Sequence, residues 1–295
     1  MKNTIFTGMA TAIVTPMHTD GSIDYEALSR FVEFQIDSGI NGLVVMGTTG
    51  ENATIEPEDQ KKVIAYTVEK VAGRVPVIAG TGTNNTEHVL HNTRNACQVG
   101  ADAILVVTPY YNKATQNGLV THFTAVADES TLPVILYNVP SRTGCNLTLA
   151  SLAQLAKLPN INAVKEASGN ISQVAEIAAA CGTELNIYSG NDDQIVPLLA
   201  LGGKGVISVL SNVAPQYTHD ICAKWFAGET QESLQMQLKA LPLCKALFAD
   251  VNPIPVKWAM NRLGWQAGAC RLPLVEPSAA VQDQLETAMR DFGLL

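Results

Sequence analysis

Basic side chains are in the minority along this chain: 19 Lys and Arg stand against 27 Asp and Glu, a formal net charge of −8. Nucleic acids and anionic membranes are bound through clustered cations, so neither is expected as a general partner. An anionic small molecule, which needs only one local cation, is not excluded. No apolar run approaches the ~20 residues that cross a bilayer. The apolar patch at residues 9–14 is interrupted by Thr11 and ended by Thr15-Pro16. That is too short and polar for the core of a secretion signal, and it reads as a first strand. CxxC pairs are missing as well. Cys97, Cys145, Cys181, Cys222, Cys244 and Cys270 are scattered, as expected of small buried residues in a reducing compartment, the cytoplasm, and not of staples or zinc ligands. Asn-x-Ser/Thr triplets begin at Asn52, Asn84, Asn146 and Asn170, but without secretion they carry no meaning.

Nucleotide-binding fingerprints are incomplete. Gly80-Thr81-Gly82-Thr83-Asn84-Asn85 follows a strand-like run and precedes a helix-like one, yet lacks the third glycine of a dinucleotide loop. Gly47-Thr48-Thr49-Gly50-Glu51 has neither the four-residue gap nor the Lys-Ser/Thr ending of a phosphate loop. His88 and His91 have metal-like spacing but no third ligand nearby, which fits a solvated helix face better than a metal site.

What the chain does have is regular alternation. Strand-like runs fall at residues 10–15, 42–46, 75–79, 103–107, 134–137, 162–165, 186–189 and 205–208, with helical stretches between them, among them 24–38, 57–71, 86–98 and 172–180. Asp24 is a plausible N-cap, and Gly39 and Gly100 sit where helices are expected to stop. Eight strands, each followed by a helix, predict an α/β fold: a (β/α)₈ TIM barrel spanning residues 1–225. A doubly wound open sheet is the competitor, but it usually has fewer strands and a dinucleotide fingerprint. Beyond Pro215 the strand signal disappears. Residues 221–226, 231–248, 255–263 and 278–292 read as helices with no flexible linker before them, so residues 226–295 are expected to pack on the barrel as a helical extension.

Barrel sites lie at the C-terminal ends of the strands, and the sixth strand ends in a lysine. Side-chain parity places Ile161, Ala163 and Lys165 on one face. A lysine held among apolar neighbours loses ammonium stability and becomes available as an amine nucleophile for a carbonyl substrate. Alone, Lys165 reads at least as well as a strand-end side chain that snorkels to water. Other strands bring Gly47-Thr48-Thr49-Gly50-Glu51, Thr108-Pro109-Tyr110-Tyr111-Asn112-Lys113, Tyr137-Asn138-Val139-Pro140-Ser141-Arg142 and Ser189-Gly190-Asn191-Asp192-Asp193 to the same end. Each has a bland alternative: a helix-approach turn, interface aromatics, a surface cation, and for Asn191 with Asp192 a helix cap. The coincidence of a lysine, a tyrosine, paired hydroxyls and an arginine at one end of one barrel favours a site.

GTTGE at 47–51, PYYNK at 109–113, YNVPSRTG at 137–144 and VKEASG at 164–169 together resemble the lysine-dependent pyruvate aldolase family. The similarity runs through the whole barrel and its helical extension. Arg142 aligns the chain with the branch that condenses pyruvate with L-aspartate 4-semialdehyde; the neuraminate lyase branch carries no arginine there. The resemblance implies that Lys165 forms an imine with pyruvate and that Tyr137, Thr48 and Tyr111 relay protons, Tyr111 reaching in from a neighbouring subunit. It also implies that Thr49 holds the pyruvate carboxylate, Arg142 holds that of the semialdehyde, and Gly190 and Ile207 line the pocket. Neither metal nor organic cofactor is implied, and a homo-oligomer, a dimer of dimers, is. One departure concerns feedback. Lysine-inhibited members carry histidines after GTTGE and a glutamate in the helix after GTGxN, where this chain has Pro57, Gln60 and His88, although Asn84 and Tyr110 remain. Weak or absent inhibition by lysine is therefore expected. The competing expectations are a lyase that releases pyruvate from a 2-keto-3-deoxy sugar acid or N-acetylneuraminate, and a catalytically idle ligand-binding barrel.

Overall fold

A computed structural model describes residues 2–295. Eight parallel strands, β1 (Gly8–Ala12), β2 (Gly42–Val45), β3 (Val77–Gly80), β4 (Ala103–Val107), β5 (Val134–Asn138), β6 (Ile161–Glu166), β7 (Asn186–Ser189) and β8 (Gly205–Ser208), close into a barrel in sequence order. A helix follows each strand: α1 (Tyr25–Asp37), α2 (Pro57–Val71), α3 (Thr86–Gln98), α4 (Gln116–Glu129), α5 (Leu149–Leu155), α6 (Ile171–Cys181), α7 (Ile195–Ala200) and α8 (Pro215–Phe226). The expected TIM barrel is present.

Strands in such a barrel are buried on both faces, which is why they read as short unbroken apolar runs and not as alternating patterns. Outward-facing Leu43, Val45, Ile104, Val106, Leu136, Val164 and Val206 pack into the layer shared with the helices. Inward-facing Ala10, Ala12, Val44, Ile78, Leu105, Ile135, Ala163 and Ile207 form the inner core. Below them Phe6 stacks on Tyr188 at 4.2 Å between ring centroids, and the Tyr188 hydroxyl donates to the Phe6 carbonyl at 2.7 Å, plugging the N-terminal end. At the other end the small side chain of Ala12 lines an open space.

Strands β4, β7 and β8 have the boundaries read from the sequence. Strand β1 starts earlier and stops at Ala12, because Gly8 pairs with Gly205 across the seam. A Cβ on Gly205 would lie 1.8 Å from the Gly8 carbonyl oxygen at a backbone φ of +151°, so only glycine fits. The parity reading of β6 needs correction. Val134 pairs with Ile161 but Ile135 pairs with Ala163, leaving Asn162 as an extra residue. The bulge turns Ile161 to the outer layer while Ala163 and Lys165 stay inside. The helix signals hold: Asp24 accepts the Ala27 N–H at 2.8 Å, and Gly39 and Gly100 take positive φ just past α1 and α3.

Helices α9 (Thr230–Leu247), α10 (Ile254–Arg262) and α11 (Ala279–Phe292) form the extension. It is tied to the barrel by buried polar contacts. Gln237 of α9 donates to the Asp192 carbonyl at 2.9 Å, and Lys257 of α10 forms a 2.9 Å ion pair with Glu51 in which both side chains are almost fully buried. Among the described residues no helix is long and apolar enough to cross a membrane.

Candidate active site

The C-terminal strand ends and the segment after α9 enclose a cavity of about 460 Å³. Lys165 enters it from β6, opposite Tyr137 of β5 in the strand register. Its amine stands 4.4 Å from the centroid of the Tyr137 ring, and the residue is 5% exposed. Burial lowers its pKa, the negative charge of Asp192 opposes the drop and the positive charge of Arg142 adds to it, which together leave it at about 8. At pH 7 that raises the neutral fraction from about one in three thousand to about one in ten. Gly190 makes the room this side chain needs: a Cβ there would lie 3.0 Å from Lys165 Cε and 2.6 Å from the Ala167 Cβ.

Tyr137 and Thr48 both line the cavity, and the Thr48 side chain acts to lower the pKa of the Tyr137 phenol. Burial pushes the phenol above its ordinary range, so it keeps its proton at neutral pH and has one to donate. Thr48 and Thr49 sit on a tight 3₁₀ turn, Thr48–Gly50, that leads to Glu51 in the left-handed region at φ 58°. The buried Glu51 carboxylate is gripped by Lys257 and by the Arg271 N–H at 2.8 Å, which fixes the loop from behind. Arg142 lies on the short helical turn Pro140–Thr143 at the rim and donates to the Asn252 carbonyl at 3.0 Å. The Asn252 amide in turn donates to Thr49 Oγ1 at 2.9 Å. One residue of the C-terminal segment thus touches both candidate carboxylate-binding residues.

Lys165, Tyr137, Thr48, Thr49, Arg142 and Gly190 all line the cavity. Ile207 is fully buried in the inner core and is not part of the cavity wall. Tyr111 is 88% exposed at a φ of 73°, beside Asn84 and Asn112 and outside the cavity of this chain. Asp192 is no helix cap. Its Oδ2 accepts the N–H groups of Val209 and Leu210 at 3.0 and 2.8 Å, holding the loop after β8. Asn252, Phe248 and Val251 also line the cavity, and nothing in their local sequence marks them. Glu166, next to the lysine, points the other way and accepts from Asn138 at 2.9 Å and from the Ser168 N–H at 2.8 Å. Among the described residues no three His, Cys, Asp or Glu side chains are grouped to hold a metal.

A buried amine that is neutral far more often than a free lysine, beside a proton-bearing phenol and a guanidinium, can condense with a keto acid and move protons at the adduct. Comparison with known proteins agrees. Residues 5–291 match the dihydrodipicolinate synthetase family. The chain is 51% identical over 295 residues to the 4-hydroxy-tetrahydrodipicolinate synthase of Acetivibrio thermocellus, covering 100% of both. The crystal structure of dihydrodipicolinate synthase from Thermotoga maritima superposes with a TM-score of 0.96 at 42% identity, covering 99% of this chain and 100% of that one. The chloride-inhibited dihydrodipicolinate synthase from Acinetobacter baumannii complexed with pyruvate gives a TM-score of 0.96 at 40% identity, with 99% and 100% covered.

Proposed function

The chain belongs to the dihydrodipicolinate synthetase family, and on that premise we propose how its residues carry out the 4-hydroxy-tetrahydrodipicolinate synthase reaction. The protein is a lyase of lysine and diaminopimelate biosynthesis that condenses pyruvate with L-aspartate 4-semialdehyde. The observation that carries the residue assignment is Lys165, buried, lowered to about 8 and lining the cavity. Its amine adds to the keto carbon of pyruvate, and loss of water gives a protonated imine. That cation is an electron sink, so the methyl group releases a proton and becomes an enamine nucleophile. Attack on the aldehyde carbon forms the new carbon–carbon bond, and the developing alkoxide takes a proton. Tyr137, with Thr48 beside it on the cavity wall, serves as the proton carrier. Thr49 receives the pyruvate carboxylate and Arg142 that of the semialdehyde, where a guanidinium fork suits a two-oxygen anion.

Tyr111 completes the relay from a second copy in a dimer of dimers; its exposure and its distance from the cavity of its own chain support this reading. Placement in the cytoplasm is supported by six cysteines that are all free. A coupled assay tests the function: consumption of pyruvate with aspartate semialdehyde is expected, while pyruvate release from 2-keto-3-deoxy sugar acids as the only activity would refute it. Arg142→Ala is expected to raise KM for the semialdehyde by about 10–100-fold, the worth of a charge-assisted contact. KM for pyruvate should stay close to that of the parent; an unchanged semialdehyde KM would give Arg142 another task.

Feedback follows from the positions that depart from the lysine-inhibited pattern. Pro57 is exposed at the start of α2, the Gln60 amide is spent on the carbonyls of Asn52 and Ile55 at 2.8 Å each, and His88 on α3 offers no carboxylate. A lysine ammonium there would be poorly paired, so inhibition below one half is expected at about 1 mM lysine. Titration of the steady-state rate with lysine checks this, and half-maximal inhibition at sub-millimolar concentration would contradict it.

A further inference from the structure

One buried acid in the cavity has no part in the scheme above. Asp192 is 3% exposed and lines the same cavity as Lys165. Its two carboxylate oxygens are not equivalent. Oδ2 accepts two backbone N–H groups from the loop after β8, whereas Oδ1 is buried with no hydrogen-bond partner. Native interiors rarely leave a carboxylate oxygen unpaired, and the exceptions cluster where a ligand or reacting group supplies the partner. The turn that carries Asp192 is also tied to the strand that carries Lys165. Gly190, whose missing Cβ leaves space for Lys165 Cε, is two residues before Asp192, and the Gly190 N–H donates to the Glu166 carbonyl at 2.8 Å, locking this turn to the end of β6.

We propose that Asp192 is a positioning residue of the condensation: its carboxylate, pinned through Oδ2 and open at Oδ1, is the internal counter-charge for the cation at Lys165, first the ammonium and then the protonated imine. The inference rests on the imine reading of Lys165. A protonated imine on so buried a side chain is costly unless an anion compensates it, and the other charged group acting on Lys165, Arg142, has the wrong sign. Burial pushes the Asp192 carboxyl up, while the nearby Ser208 side chain, the N–H groups of Leu210 and Val209 and the charge of Lys165 pull it back toward the anion. The remaining neighbours are the Tyr137 phenol from β5, the Cys222 thiol from α8 and the Cys244 thiol from α9. Burial raises all three, so they stay neutral. Lys245, Asp193 and Asp250 line the outer cavity, Lys245 and Asp193 exposed and Asp250 half-buried.

Asp192→Asn tests this without changing shape, since its amide oxygen can still accept from Val209 and Leu210 while its NH₂ takes the open position. The readout is borohydride capture of pyruvate on Lys165 across pH, followed by mass spectrometry. In the parent, capture rises through the lysine midpoint at about 8. Removing the anion destabilises the ammonium, so the midpoint in Asp192→Asn should fall by about one unit or more. Above both midpoints the amine is neutral in either protein but the imine has lost its counter-charge, so pyruvate should bind about tenfold more weakly there. A purely structural defect weakens capture at every pH and leaves the midpoint in place. An unchanged or raised midpoint overturns the proposal, as does an equal downward shift in Asp193→Asn, which removes a charge at the exposed neighbour. If Asp192→Asn does not fold, Ser208→Ala serves instead: losing that hydroxyl raises the Asp192 carboxyl, so a smaller downward shift supports the proposal and none overturns it. Failure of the parent to capture pyruvate on Lys165 at any pH is a different result, and removes the imine reading itself.

Discussion

Lys165→Ala is expected to lower turnover by roughly four orders of magnitude or more, the scale on which removing a covalent nucleophile acts. The loss should appear in kcat with both substrates saturating, because the rest of the cavity stays in place to bind them. Folding should not suffer. The native lysine is held at a pKa of about 8 by burial, so the fold works against its charged form, and alanine removes that cost. The sign for pH follows. A folded pKa below the unfolded value means that the group takes stability away at pH values below its unfolded pKa, and ceases to do so only as pH rises past that value. Lys165→Ala should therefore be as stable as the parent or more so at neutral pH, and thermal unfolding beside the coupled assay shows both effects together. A variant that keeps a tenth of the parental kcat would mean that Lys165 is not the nucleophile.

Lys257→Ala is expected to destabilise the protein by about 3–5 kcal/mol, the cost of leaving a buried charge unpaired. The side chains of Lys257 and Glu51 are 2% and 1% exposed, and the ammonium also donates to the carbonyls of Thr15 and Ala269 at 3.1 and 2.7 Å. Without it the Glu51 carboxylate keeps only the Arg271 N–H. Because Glu51 anchors the turn carrying Thr48 and Thr49, pyruvate binding should weaken along with stability. The double variant Glu51→Gln with Lys257→Met removes both charges and should recover most of the lost stability, an interaction visible in a double-mutant cycle from urea unfolding. A loss below about 1 kcal/mol for Lys257→Ala would show the pair to be open to water.

The contrast between Lys165 and Lys257 shows what the sequence can reveal. Lys165 ends a short apolar strand and is followed at once by a small-residue turn, so position alone marks it as a strand-end group. The barrel was legible for the same reason: strands buried on both faces appear as compact apolar runs, and β4, β7 and β8 were read to the residue. Lys257 lies in an ordinary helical stretch, and its partner Glu51 is 206 residues away. Asn252 meets Thr49 across 203 residues. No local pattern encodes such pairings, which arise only when the helical extension folds over the barrel mouth. Two local readings failed because a single residue changed the geometry. The extra residue at Asn162 reverses the parity that placed Ile161 inside, since facing alternates only along an unbroken ladder. Asp192 opens a short 3₁₀ turn and invites a capping assignment, yet its carboxylate crosses to the loop after β8. Tyr111 is exposed and lies outside the cavity of its own chain.

The central claim is that the Lys165 amine bonds covalently to pyruvate. Incubating the protein with pyruvate, reducing with borohydride and digesting it tests that bond directly. The account predicts a single modified peptide, containing Lys165, heavier by the mass of a reduced pyruvyl group. Label on any other lysine, or an unmodified Lys165 peptide after complete reduction, would contradict it.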